Sequence, residues 1–192
     1  MSFSLLKRLT QNPPAEDFAL KPARVHEVEG AGQVAFALFQ MLRHKGPIFW
    51  LGQKQQAHLL MPWGLPKDLA ERLHLVEAKD EDDLLWATEE TLRAAPVGLV
   101  VALPQKPLTL TIGRRLQLAA EAGQTIGLLL IAEGQGSNAA ESRWHCSPHA
   151  GEGDSTLQHW RLTKNKSGTL KDWILDFHVA SAAGHRISKA CQ

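Results

Sequence analysis

The sequence has 192 residues, 44% of them hydrophobic, with 21 Lys plus Arg against 20 Asp plus Glu and a formal net charge of +1. That balance excludes a global positive field of the kind that holds a protein on a polyanion, so any nucleic-acid contact must be local. The length suits one domain with a sizeable core, no stretch reaches the ~20 apolar residues of a membrane span, and Cys146 and Cys191 make no disulfide framework.

Residues 1–21 contain Phe3, Leu5, Leu6, Leu9, Lys7, Arg8 and Pro13-Pro14, without the apolar core or cleavage site of a signal peptide. They read as a flexible N-terminal arm on a cytoplasmic protein with free thiols. Val25 to Val28 suits a short strand, and Gly30 and Gly32 lead into a helix over Gln33 to Arg43, where Val34, Leu38, Met41 and Leu42 recur at helical spacing. Gly46-Pro47 stops it, and Ile48 to Leu51 is an apolar run suited to a strand buried on both faces. Pro62 to Arg72 reads as a loop with a short helix, and Leu73 to Ala78 as another strand.

Asp80 is the expected N-cap of the next helix, with Asp83 and neighbouring acids complementing the helix dipole and Leu84, Leu85, Ala87, Thr88 and Leu92 following. Val97 to Leu103 is a third apolar run, Thr109 to Ala122 a helix ended by Gly123, and Thr125 to Ile131 a fourth run. Strands alternating with helices imply right-handed crossovers and a mostly parallel sheet covered on both faces. After a Gly-rich loop, Glu133 to Asn138, the segments Arg143 to Cys146, Leu157 to Thr163 and Trp173 to His178 follow as consecutive strands, an antiparallel extension. The domain is expected over residues 22–178, and the small, polar segment 179–192 as a disordered C-terminal tail.

Such a sheet invites a phosphate site at the first strand-to-helix turn. The segment here has Gly30 and Gly32 only two apart, with no Lys-Ser/Thr pair after them, and Glu29 repels phosphate. The third apolar run ends in Ala102 where a nucleotide hydrolase places a metal-holding acid. A nonenzymatic chain with no catalytic residue, cofactor or metal is therefore expected. Trp144-His145-Cys146-Ser147-Pro148-His149 offers metal-ligand types, and Cys146 a nucleophile, but neither has a supporting motif. The acids from Asp80 to Asp83 are explained by a helix start.

Arg114-Arg115 suit a solvated helix face or, alternatively, a partner contact. Trp50, Trp86, Trp144, Trp160 and Trp173 fall in apolar segments and are expected in the core, whereas Trp63, in a Pro-Gly loop, is a candidate partner anchor. The triplet Lys164-Asn165-Lys166 reads as a solvated hairpin turn, a nonspecific phosphate grip or part of an interface.

Taken in order, several segments resemble RecA recombinase: Leu73 to Asp80 with the helix to Arg93, the strand Val97 to Ala102, and Lys164-Asn165-Lys166. Gln53 lies near the position of that family's catalytic glutamate, and Glu133 to Ser142 takes the place of its second DNA-binding loop, with Arg143 following. The chain is more similar still to the ImuA family, shortened RecA-like proteins, through Gly46-Pro47-Ile48-Phe49-Trp50, Leu84 to Glu90, Arg114 to Gly123 and Ser142-Arg143-Trp144. This resemblance implies a RecA-like three-layer α/β fold lacking the P-loop. It also implies a noncatalytic role in SOS mutagenesis, the damage-induced branch of DNA repair that carries out translesion synthesis. The implied partners are RecA and/or an ImuB-type polymerase subunit, with at most an indirect or weak DNA contact and no membrane, and the candidate interaction residues for them are Lys164, Asn165, Lys166, Arg143, Arg114, Arg115 and Trp63. A SulA-like division inhibitor and a nucleotide-dependent repair ATPase are the alternatives.

Overall fold

In the computed structural model, residues 15–57, 59–60, 64–150, 156–176 and 188–189 are described. The elements are β1 (Val25–Glu29), α1 (Gln33–Arg43), β2 (Ile48–Gln53), α2 (Lys67–Ala70), β3 (Leu73–Ala78), α3 (Glu81–Arg93), β4 (Leu99–Ala102), α4 (Leu110–Gly123), β5 (Gly127–Leu130), β6 (Ser142–Ala150), β7 (Thr156–Asn165), β8 (Lys171–Asp176) and β9 (Ser188–Lys189). They form one sheet in the order β3-β2-β4-β5-β1-β6-β7-β8-β9. Neighbours are parallel from β3 through β6 and antiparallel from β6 to β9. This is the expected α/β architecture, a mostly parallel central sheet with an antiparallel C-terminal extension, and it is consistent with a RecA-like fold.

Side-chain alternation divides the core into two layers. β2 sends Ile48 and Trp50 to one face and Leu51 to the other, and β4 divides Leu99 and Val101 from Val100 and Ala102. The first layer packs with Phe36, Phe39 and Met41 of α1 and with Trp144 and Trp160. The second packs with Leu84 and Leu92 of α3 and with Leu116, Ala119 and Ala120 of α4. Helices thus cover both faces, which is why β1, β4 and β5 are buried at every position.

Local chemistry sets the helix ends. The Asp80 carboxylate accepts the Asp83 N–H at 3.0 Å, and the Asp83 carboxylate accepts the Lys79 N–H at 2.9 Å, so the acid run serves as a cap. Thr109 caps α4 by accepting the Ile112 N–H at 3.3 Å. At its far end the left-handed residue is Gln124, with φ 55°, whereas Gly123 is still helical. Gly123 is required for a different reason: a Cβ there would collide with the Leu92 carbonyl oxygen, because α3 and α4 pack closely.

Four expectations are corrected. β6 is not the first strand of the antiparallel extension alone; it runs parallel to β1 and antiparallel to β7. Lys164 and Asn165 are the last two residues of β7, so only Lys166 belongs to the turn. Trp86 is 63% exposed, because α3 turns Leu84, Thr88 and Leu92 inward and Trp86 lies roughly 200° around the helix from Leu84. Finally, Phe18 in the 3-10 turn Ala15–Phe18 is buried, so packed chain begins before residue 22. The two-residue β9 pairs with β8, while the other residues of 177–192, with Cys191, and the opening residues 1–14 lie outside the described residues.

Candidate interaction site

The turn between β1 and α1 is closed by β6. Gly30 adopts φ +91° with its Cα against the Cys146 carbonyl, where any Cβ would collide. The Gly32 N–H donates to that same carbonyl at 2.8 Å, so the amide that would meet a phosphate already has a backbone acceptor. Glu29, buried beside the turn, accepts the Gly134 N–H at 2.9 Å. At the ends of β2 and β4, Gln53 donates to the Glu81 carboxylate at 2.8 Å, which also accepts the Gln105 N–H at 3.1 Å. Gln53 is thereby fixed as a donor to an acid.

The triplet and Arg143 come together around residues 137–141. Lys164 Nζ donates to the carbonyls of Ser137 at 3.0 Å and Asn138 at 2.9 Å, and Lys166 Nζ donates to that of Ala139 at 2.7 Å. Asn165 shapes the turn: its Oδ1 accepts the Ser167 N–H at 3.1 Å and its Nδ2 donates to the Thr169 carbonyl at 3.3 Å. Arg143 donates through Nε to Glu27 at 2.9 Å and through Nη2 to the Ser137 carbonyl at 3.0 Å. Both lysines and the arginine therefore hold the segment before β6, Lys164 and Arg143 from half-buried positions and Lys166 from an exposed one. Burial pulls the Lys164 ammonium below its usual range, and the nearby Lys166 and Arg143 charges add to this.

Buried acids balance the cluster. Glu27 is 1% exposed and accepts the Ser137 N–H at 2.8 Å as well as Arg143; burial still pushes its carboxyl above the usual range. Burial also acts to raise Glu141, but hydrogen bonds from Ser167 and Lys21 outweigh it and hold that carboxyl low. His26 bridges Ser142 Oγ at 2.6 Å and the Lys21 carbonyl at 3.1 Å. Sequence reasoning missed Glu27, Glu141 and His26. The available signal was His26-Glu27-Val28-Glu29, polar side chains in a strand flanked by buried neighbours.

Other candidates separate. Cys146 is fully buried and its thiol is pushed well above its usual value, so it carries no thiolate. His145, on the opposite face of β6 from Cys146, contacts Glu133 at 3.1 Å, and His159 pairs with Asp172. Among the described residues no group of three His, Cys, Asp or Glu side chains is placed to hold a metal ion. Arg115 donates to Glu89 at 2.6 Å, whereas its neighbour Arg114 is exposed and has no partner among the described residues. Trp63 lies outside the described residues. No helix among them is long and apolar enough to cross a membrane.

Comparison with known proteins gives matching results for two strains. The chain is 32% identical over 163 residues to Protein ImuA of Caulobacter vibrioides strain NA1000 / CB15N, covering 78% of this chain and 63% of the relative. The same protein from strain ATCC 19089 / CIP 103742 / CB 15 matches with the same identity and coverage. The chain thus spans 63% of the length of the curated relatives it matches. No family model matches the chain. The similarity supports a relationship between this chain and ImuA proteins.

Proposed function

We propose that the chain is an ImuA-type accessory protein of damage-induced translesion synthesis, acting in the cytoplasm by binding protein partners and catalysing no reaction. The observation that carries this reading is the 32% identity to Protein ImuA over 163 residues. The closed β1–α1 turn supports its noncatalytic side, since the Gly32 amide is bonded to Cys146 and Glu29 stands beside it. The partners under this reading are an ImuB-type polymerase subunit and RecA, and DNA contact is weak or indirect. Lys164 and Lys166 serve that interface by shaping residues 137–139, whose carbonyls they hold.

The test is genetic and biochemical together. Deleting the chain's gene is expected to return ultraviolet-induced mutation frequency to the uninduced level while cell division stays normal. Unchanged mutagenesis, or filamentation on overexpression, sinks the reading. Tight binding of ATP with magnesium in calorimetry removes the noncatalytic part. Pull-downs with the ImuB-type subunit and RecA filaments should weaken for Lys164→Ala plus Lys166→Ala, and equal capture refutes the role given to the triplet.

A further inference from the structure

A groove of about 500 Å³ runs between α4 and residues 138–141. Its α4 wall carries Leu110, Arg114 and Leu118 at one-turn spacing, and Lys166 closes the opposite side. Leu110 is 46% exposed and Leu118 is 64% exposed, large values for leucines bracketing one cation. A single exposed leucine needs no explanation, but two on one stripe beside a concave surface form a patch. The opposite wall is held in place: Lys164 bonds the Asn138 carbonyl, and Lys166 and Gln117 bond that of Ala139. That wall is therefore held in place before a partner arrives, which spares the cost of ordering its backbone.

Charge selects the occupant. Arg24 in the groove is already matched by Glu121 at 3.4 Å and Glu141 at 4.0 Å. Lys166 donates to a neutral carbonyl in that wall, and Arg114 has no partner among the described residues, so two positive charges are offered to a ligand. A nucleic-acid strand needs a continuous run of cations along its phosphates, and this groove offers Arg114 and Lys166 on opposite walls with Arg24 already matched. Two apolar anchors with a cation between them instead match an amphipathic helix carrying acids beside its apolar face. Leu110 and Leu118 are eight positions apart, about 12 Å along α4 at 1.5 Å per residue, which fits anchors about seven residues apart on the incoming helix.

We propose that this groove docks an acidic amphipathic helix of a protein partner, with Leu110 and Leu118 taking its apolar side chains and Arg114 and Lys166 its carboxylates. The proposal rests on the protein-binding role argued above and assigns that role a surface and a partner chemistry.

The experiment uses fluorescence anisotropy on the full chain with three probes: a labelled helical peptide bearing leucines about seven residues apart with flanking glutamates, the same peptide with lysines for glutamates, and a single-stranded oligonucleotide. The glutamate peptide should bind saturably, Arg114→Glu should weaken it about tenfold or more, and the lysine peptide should bind Arg114→Glu better than the unaltered protein. Leu118→Ser should weaken both peptides. Arg114 and Leu118 are exposed, so these variants retain the fold, which circular dichroism checks. Absence of saturable binding, indifference to Arg114→Glu, or an Arg114-dependent preference for the oligonucleotide overturns the proposal. Two further outcomes separate it from the function proposed above. If mutagenesis requires the chain yet is unaffected by Arg114→Glu plus Leu118→Ser, the groove assignment fails alone. If deletion leaves mutagenesis unchanged while the peptide binds as described, the groove stands and the mutagenesis role fails.

Discussion

His26 shows how one buried side chain makes stability depend on pH. The Lys21 carbonyl can only accept, so Nε2 carries the imidazole proton and Nδ1 accepts from the Ser142 hydroxyl. This neutral tautomer is well served, and burial lowers the pKa to about 4 from 6.5. Between those values the unfolded chain binds a proton that the folded chain does not, so this contribution is complete above pH 6.5 and is lost as pH falls through about 4. The full effect is about 3 kcal/mol. Glu27 works in the opposite direction: burial raises its folded carboxyl, so its contribution falls as pH rises. His44, which burial also lowers to about 4, acts in the same direction, so urea unfolding of the unaltered protein should show stability falling from pH 7 to pH 5, and His26→Gln should reduce that slope without abolishing it. Equal slopes in both proteins contradict the assignment. At Gly30, φ +91° and the nearby Cys146 carbonyl penalise any side chain, whereas Gly134 has φ +77° and open space around it. Gly134→Ala is expected to cost about 1 kcal/mol; Gly30→Ala should cost more than about 3 kcal/mol, as denaturant midpoints can report.

At the scale of elements, the segment before β6 is fastened by contacts from several strands. Glu27 of β1 and Arg143 of β6 are separated by 116 positions in the chain, and between them they hold the backbone N–H and carbonyl of Ser137. Removing only Arg143 leaves a buried carboxylate facing Lys164 across the segment, so Arg143→Ala is expected to destabilise by about 3–5 kcal/mol, and adding Glu27→Gln to it should recover a large part of that loss. Additive losses in the double variant argue against a coupled pair. Local elements were legible in the sequence because their causes are local: α1 spans the periodic segment Gln33 to Arg43, and Asp80 caps α3 where its spacing to Asp83 placed it. Trp86 misled because apolar character was weighed without its angle on the helix. The pairing of Glu27 with Arg143, and β6 lying parallel beside β1, arise from contacts between distant segments and leave no local signature. For the same reason Lys164 and Lys166 read as outward charges, although their acceptors are carbonyls of residues 137–139, 27 or fewer positions away.

For the whole molecule, the two core layers share one sheet, and the antiparallel extension is joined to the parallel part by aromatic packing. Phe18 is the residue common to those contacts: its ring meets Phe39 of α1 at 5.6 Å, Trp144 of β6 at 6.0 Å, Trp160 of β7 at 5.4 Å and Trp173 of β8 at 4.8 Å. A segment near the start of the chain therefore ties the first helix to the last long strands. Phe18→Ala opens a cavity at that junction and forfeits edge-to-face contacts, at a cost of about 3–5 kcal/mol. Because Trp144 and Trp160 are buried there while α3 and α4 pack on the opposite face, two probes can ask whether the layers unfold together. If the sheet makes them one cooperative unit, tryptophan fluorescence and far-ultraviolet circular dichroism should give coincident denaturation curves, and Phe18→Ala should displace both by the same amount. A fluorescence transition that moves ahead of the dichroism curve in the variant would show instead that the two layers do not unfold as one unit.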